Sequence, residues 1–371
     1  RRLTNPLANL ALATRDIGAG NLDADLPSPA RNDEIGALTD DFSSMRSALK
    51  TYIKEVQTAT AKQQKLESEI QIAKDIQMSM IPGSGNASIK SEAFQLYAML
   101  RPARTVGGDL YYFQQSDEIL HFILGDVSDK GVPAALFMAK TVTLYTRALR
   151  DELSPGQTFT MMNDILAQNN EACMFVTALC GTINLKTGAV VMSNAGHMDP
   201  IIKDTKGTHE HEVRGATALG LMDGVEYPDA EFQLAHASSM IMYTDGISEA
   251  HDIDNEQYSD ERLVELITTT NTGSSEEMGN EIINSVDEFA GEAEQFDDIT
   301  LLTLKYLDEK QAAKSNTISV TIKNKLDQMP QVLEAFESFG EQNELSFGVI
   351  QKFNIALDEL LNNIISYGFN D

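Results

Sequence analysis

Glu118-Ile119-Leu120-His121-Phe122-Ile123-Leu124-Gly125-Asp126-Val127-Ser128-Asp129-Lys130-Gly131-Val132-Pro133-Ala134-Ala135-Leu136 passes from strand to turn to helix within nineteen residues. Residues 118–124 form an apolar run of strand length. A glycine-containing turn follows, and Pro133 stands in the first turn of a helical pattern that reaches Leu149. Asp126 therefore falls at a strand end. Three other motifs place carboxylates in the same way. Val106-Gly107-Gly108-Asp109 opens an expected strand over 110–114, and Tyr243-Thr244-Asp245-Gly246 closes one over 239–243. Phe296-Asp297-Asp298-Ile299-Thr300 leads into one over 299–306. An isolated Asp-Gly is usually a turn. Four such motifs at strand boundaries can instead gather ligands on one edge of a rigid scaffold, and carboxylate oxygens suit hard divalent cations.

Residues 94–100, 175–185 and 189–194 read as further strands, with Lys186-Thr187-Gly188 as a hairpin turn, and 261–268 and 276–289 read as helices. Strands joined by short turns with few helices between them predict antiparallel sheets flanked by helices. A pair of divalent ions about 3.5–4 Å apart at such a centre clamps a phosphoryl group for in-line attack.

The first eighty residues follow a different rule. Leu7, Leu10, Thr14 and Ile17 step by three and four, and a break follows at Gly18, Gly20, Pro27 and Pro29. The stepping resumes at Ile35, Leu38, Phe42, Met45 and Leu49. It continues through Tyr52, Val56, Ala59, Gln63, Leu66, Ile70, Ala73, Gln77 and Met80. This heptad pattern predicts a left-handed coiled coil, its second helix about 68 Å long. Gln63 and Gln77 are polar seam positions that would fix register. Ile72 and Ile76 lie off the seam and offer a second apolar face for the next domain. Pro82-Gly83 ends the helix.

The 371 residues suggest two or three domains. A formal net charge of −28 argues against nucleic acid or an anionic membrane surface as the main partner. It leaves a phosphate substrate open, because bound cations invert the local field. Two cysteines, Cys173 and Cys180, form no CxxC pair and fit a reducing compartment as small buried residues. No run of about 18 apolar residues and no signal peptide is visible. The chain opens on Arg1-Arg2 close to a helical pattern, so an upstream part is expected to be missing.

Pro6, Gly18, Gly20, Asn21, Leu22, Asp33, Glu34, Ile35, Gly36 and Met45 together resemble a HAMP domain. That resemblance implies a parallel four-helix dimer just inside a membrane, below a transmembrane sensor, in the cytoplasmic portion of an inner-membrane receptor. An ordinary dimerising coiled coil is the alternative.

The central motifs resemble the metal-dependent phosphatases of the protein phosphatase 2C (PPM) superfamily in its SpoIIE/RsbU branch. The match runs from Ile72-Ala73-Lys74-Asp75-Ile76-Gln77 and Ile81-Pro82 through the four Asp motifs. It includes Lys130-Gly131-Val132-Pro133-Ala134-Ala135-Leu136 and Asn194-Ala195-Gly196-His197. The resemblance implies two Mn²⁺ or Mg²⁺ ions. Asp126 would bridge them, and the Val127 carbonyl would be a further ligand. Asp109 would serve the second site, and Asp245 and Asp297 the first, with Asp298 as fallback for Asp297. Asp126 and Asp109 would be the catalytic pair. Arg104 would hold substrate phosphate or form a surface salt bridge. His197 would protonate the leaving group or serve as a buried, hydrogen-bonded structural residue. The implied substrate is a phosphorylated STAS-domain antagonist of an anti-sigma factor in partner switching. Control would come from docking of the rod around Ile70 to Met80.

Residues 307–315 read as a linker, 317–322 as a strand, and 329–339 and 347–367 as helices. Glu359 and Asn363 share a helix face, which is also the spacing of a surface pair. Leu357-Asp358-Glu359-Leu360-Leu361-Asn362-Asn363 resembles the N-box of the GHKL ATPase fold in its anti-sigma-factor serine-kinase branch. It implies Glu359 as general base and Asn363 as a magnesium ligand for ATP, but the glycine-containing nucleotide boxes are absent up to Asp371, so an ATP site is expected only of a complete C-terminal domain. The six histidines, at 121, 197, 209, 211, 236 and 251, leave the linker helix without a phosphoacceptor.

The expected organisation is therefore a multidomain chain of parallel N-terminal helices, a central α+β sandwich and a partial C-terminal α/β fold. Its parts are a HAMP domain (1–50), a coiled-coil linker (51–83), a phosphatase domain (84–310) and the start of a serine-kinase domain (316–371). It would act as a homodimeric phosphoserine/phosphothreonine protein phosphatase. The alternatives are a catalytically silent scaffold that binds the antagonist, or a regulator dominated by its kinase.

Overall fold

Central strands covered on both faces need apolar side chains at nearly every position, and Ile299-Thr300-Leu301-Leu302-Thr303-Leu304-Lys305-Tyr306 is such a strand. In the computed structural model its side chains alternate between two cores. Leu302, Leu304 and Tyr306 enter one, and Ile299 and Leu301 the other. The structure describes residues 4–23, 25–26, 33–307, 320, 328–342 and 345–367.

The chain divides into two compact units, residues 1–73 and 74–371. In the first, α1 (Thr4–Gly18) and most of α2 (Glu34–Ser79) carry the heptad pattern. Leu10, Ala13 and Ile17 of α1 and Thr39 of α2 are buried. Leu38, Met45, Leu49, Tyr52, Val56 and Leu66 of the expected seam are exposed in the single chain. Gln63 is exposed as well, and its amide donates to Glu67 at 2.9 Å.

The second unit begins with the last residues of α2. Gln77 is not a seam residue here. It is buried, its Nε2 donates to the Gly107 carbonyl at 2.6 Å, and its Oε1 accepts from Gly107 N at 3.4 Å. Ile76 is 61% exposed and so does not cover a face of this unit, and Ile72, in the first unit, is 56% exposed. Met78 and Ile81 pack on the core instead.

Two six-stranded sheets follow. The first holds β1 (Asn86–Lys90), β2 (Phe94–Arg101), β12 (Ile299–Tyr306), β11 (Ser239–Tyr243), β7 (Ile201–Asp204) and β8 (Gly207–Glu210), in that order. The second runs β10 (Ala230–Gln233), β6 (Ala189–Ala195), β5 (Val176–Asn184), β4 (Ile119–Val127) and β3 (Leu110–Ser116), with β9 (Gly215–Ala216) beside β6. All pairings are antiparallel except β6–β9. Phe94, Leu96, Ala98 and Leu100 of β2 join Leu120, Phe122 and Leu124 of β4 in one core. Tyr97 and Met99, on the other face of β2, pack with α6 (Asp260–Thr269) and α7 (Ser275–Ala290). Helices α3 (Val132–Arg150) and α4 (Pro155–Ala167) pack against the second sheet.

The expected antiparallel sandwich is thus present, with five short strands and α4 added. Helix α4 carries its own signals. Ser154 and Gln157 form a capping box, Pro155 opens the first turn, and Phe159, Met162 and Leu166 make its buried stripe. Cys180 is buried as expected, but Cys173 is exposed. Helices α8 (Met329–Gln342) and α9 (Phe347–Tyr367) pack together through Phe336 and Phe353, with ring centroids 5.5 Å apart. The strand expected over 317–322 lies outside the described residues. No helix of the described residues is long and apolar enough to cross a membrane.

Gly125 shows how tightly β4 meets β5. A Cβ there would stand 2.6 Å from the Thr177 carbonyl oxygen and 2.9 Å from the Ala178 Cβ. Gly125→Ala should therefore cost about 1–3 kcal/mol by overpacking, read as a lower urea midpoint with an unchanged slope.

Candidate active site

Four elements deliver the carboxylates to one place. Asp109 precedes β3, and Asp126 lies near the end of β4. The register Leu110↔Gly125 sets these two opposite each other one step on. Asp245 opens the short helix α5 (Asp245–Ser248) directly after β11, and Asp297 stands just before β12. Main-chain closeness depends on the motif glycines. A Cβ on Gly107 would fall 2.1 Å from Asp298 Oδ2, one on Gly108 2.7 Å from the Val127 carbonyl, and one on Gly246 1.9 Å from the Asp298 carbonyl.

Asp109 is buried, and two hydroxyls from the other sheet reach its Oδ2. Thr244 donates at 2.7 Å and Thr300 at 2.6 Å. Thr244 Oγ1 in turn accepts from Thr300 N at 2.9 Å, which ties β11 to β12. Asp298 is spent on the main chain. Its Oδ1 accepts from Ala103 N and its Oδ2 from Gly108 N, both at 2.7 Å. Asp297 instead faces a side chain, with its Oδ2 2.9 Å from Lys130 Nζ. The neighbours therefore differ. Asp298 shapes the 103–109 loop, and Asp297 presents its carboxylate to the cluster.

Desolvation pushes the Asp126 carboxyl up to about 7. The Asp109 hydrogen bond opposes that rise, and the charges of Asp245, Asp297 and Asp298 add to it. Asp245 is raised to about 6, first by burial and then by Glu249 and Asp297, with Gly246 N–H and Lys130 pulling the other way. Asp109 lies well above the usual carboxylate range, mainly through burial and then through Asp126 and Asp298. Asp126 is the hub, since it senses every other member.

His197 braces this arrangement. Its Nδ1 lies 3.0 Å from Thr177 Oγ1, and its Nε2 lies 2.9 Å from the Tyr243 carbonyl. Thr177 pairs with Asp126 across β4 and β5, and Tyr243 stands two residues before Asp245. Desolvation lowers the imidazole to about 4, so near neutral pH it is uncharged. These contacts favour the structural reading of His197 over the proton donor. Arg104 is exposed and forms no ion pair with a described residue, so the salt-bridge reading does not hold.

Asp109, Asp126, Asp245 and Asp297 are thus brought together, with the Val127 carbonyl close against Gly108, and their oxygens are the donor type that Mg²⁺ or Mn²⁺ takes. Among the described residues no three His, Cys, Asp or Glu side chains stand close enough to hold a metal ion. Glu359 is exposed on α9, which also contains Asn363. Sequence reasoning assigned no role to Thr244, Thr300, Lys130 or Glu249, although the first three lie inside motifs it quoted.

Residues 116–307 match the family model of stage II sporulation protein E (SpoIIE), and residues 1–51 match that of the HAMP domain. Protein IcfG of Synechocystis is 28% identical over 336 residues, covering 81% of this chain and 51% of that protein. The chain thus spans about half the length of that relative. Phosphoserine phosphatase RsbU of Bacillus subtilis is 27% identical over 253 residues, covering 68% of this chain and 74% of that protein. The SiaA-PP2C domain of Pseudomonas aeruginosa has the same fold, with a TM-score of 0.58 at 20% identity over 66% of this chain and 99% of that one.

Exchanging the two adjacent aspartates for alanine should separate their roles. Asp298→Ala strands two main-chain N–H groups and should cost about 1–3 kcal/mol. Asp297→Ala loses an ion pair less than one-third exposed and one local main-chain bond, from Asp298 N at 2.9 Å, and should cost less, about 1 kcal/mol. Urea denaturation of both variants measures the difference, and the reverse order would exchange the assignments.

Proposed function

The chain belongs to the SpoIIE family, and from that premise we propose that it is a metal-dependent phosphatase acting on phosphoserine or phosphothreonine in a protein. The observation that carries the proposal is the convergence of Asp109, Asp245 and Asp297 on Asp126, with affinity for protons raised at Asp126 and Asp245. Carboxylates that crowd in this way favour any partner that brings positive charge.

In this reading two divalent ions would be held by Asp126, as the ligand common to both, and by the Val127 carbonyl, with Asp245 and Asp297 as further ligands of one and Asp109 of the other. The ions would supply Lewis acidity and charge neutralisation for displacement at phosphorus. Thr244 and Thr300 orient Asp109, and His197 keeps the Asp126 and Asp245 strands in register. Arg104, on the loop before Asp109, would hold phosphate oxygens through its guanidinium fork.

The proposed substrate is a phosphorylated STAS-domain protein in partner switching, as the resemblance to the RsbU branch implies. The N-terminal HAMP helices would relay a signal within a homodimer. The exposed apolar residues of α2 support pairing, and the Gln77–Gly107 contact supports a route to Asp109. Glu359 and Asn363 keep the spacing of a base and a magnesium ligand, so a serine-kinase role for the C-terminal segment belongs to the same proposal. The cluster weighs against a silent scaffold, since mutually repelling carboxylates have a cost that a bound cation offsets and a scaffold does not require.

The test is Mn²⁺-dependent phosphate release from a phosphoserine peptide. Asp126→Asn and Asp245→Asn should each lower turnover by roughly 100-fold or more, the scale on which one electrostatic group acts in catalysis. Turnover unchanged in both variants would refute the proposed centre, and a wild-type chain without turnover would favour the scaffold.

A further inference from the structure

Phe296 is 60% exposed at the rim of the cluster, yet its ring is held in place. Lys130 Nζ lies 4.1 Å from the ring centroid, and the edge of the His251 ring meets it at 5.6 Å between centroids. The main chain beneath is fastened too. Lys130 donates to the Phe296 carbonyl at 2.8 Å, and the Gln295 amide donates to the carbonyls of Arg101 and Asp297, both at 2.8 Å. An exposed aromatic ring that has already lost its rotamer freedom is suited to recognition.

Beside it opens a cavity of about 370 Å³, walled by Val286, Ala290, Ala293 and Ile299. Arg101 also lines the cavity. Its two terminal nitrogens engage Asp287 at 2.9 and 2.6 Å, but its Nε is enclosed and has no acceptor. A buried donor without an acceptor is uncommon in a folded protein. Gly246 and Phe296 line the same cavity, and they are the sequence neighbours of Asp245 and Asp297.

Resting on the phosphatase reading, we propose that this cavity seats a large apolar side chain of the polypeptide that carries the phosphorylated residue. A peptide advances about 3.3–3.6 Å per residue when extended. The seated side chain therefore lies within one to a few positions of the residue whose phosphate meets the carboxylates. An acidic side chain would be repelled by the carboxylates of Asp287 and Glu294, which also line the cavity.

The test uses the full chain with Mn²⁺ and phosphoserine peptides in which one leucine is moved through the flanking positions of an alanine background. Leucine at one fixed position should raise kcat/KM about tenfold over alanine, the lower end of what an apolar pocket discriminates. Ala290→Leu or Ala293→Leu, which fill the cavity, should abolish that advantage and leave hydrolysis of p-nitrophenyl phosphate unchanged. No preferred position, or a preference that survives both filled variants, overturns the proposal. Loss of turnover on p-nitrophenyl phosphate by the wild-type chain would strike the phosphatase reading instead. The seat is then judged by fluorescence anisotropy of the same labelled peptides, where equal affinity for the leucine and alanine peptides overturns it.

Discussion

Carboxylates confined to one part-buried volume repel each other, and the centre of this protein is organised around holding them together. Two unit charges 4 Å apart at an effective dielectric near 20 repel by about 4 kcal/mol. A neutral hydrogen bond returns roughly 1 kcal/mol. Single hydrogen bonds therefore cannot hold such a group fully ionised, and the charge must be met by protons or cations. The raised Asp126 and Asp245 carboxyls are one expression of that balance, and Lys130 against Asp297 is another. The fold contributes rigid strand ends laced from both sheets. Thr244 and Thr300 reach Asp109, Asp298 grips the 103–109 loop, and His197 joins Thr177 to Tyr243.

Much of this was legible in the residues. The four Asp motifs each abut a strand, and in three of them glycine beside aspartate both ends a strand and admits close main-chain approach. The two-sheet sandwich followed from short apolar runs with turns between them. Other features depend on contacts that no local pattern encodes. Gln77 satisfies the heptad spacing as well as any seam residue, and only its bond to Gly107, thirty positions on, removes it from the seam. Asp297 and Asp298 are chemically identical in the sequence. They differ because Asp298 grips the N–H groups of Ala103 and Gly108 across the loop, while Asp297 meets Lys130 and only the adjacent Asp298 N–H. The cavity at Phe296 combines residues from β2, α5, α7 and the loop before β12, so no single stretch announces it.

The same geometry places two kinds of neighbour around the cluster. On one side stands the end of α2, with Gln77 fastened to the glycine two residues before Asp109. On the other stands Phe296, fixed by Lys130, whose ammonium also pairs with Asp297. Lys130 thus connects the carboxylates to the proposed substrate seat. A change in the charge held at Asp297 would be felt at the Phe296 ring through that one side chain.

The most direct test of the central claim is calorimetric titration of Mn²⁺ into the purified chain and into Asp126→Asn. The account predicts two ions bound per chain, with binding severely weakened in the variant because Asp126 is the shared ligand. Two ions bound equally well by both proteins, or no Mn²⁺ bound by the wild-type chain at millimolar concentration, would contradict it.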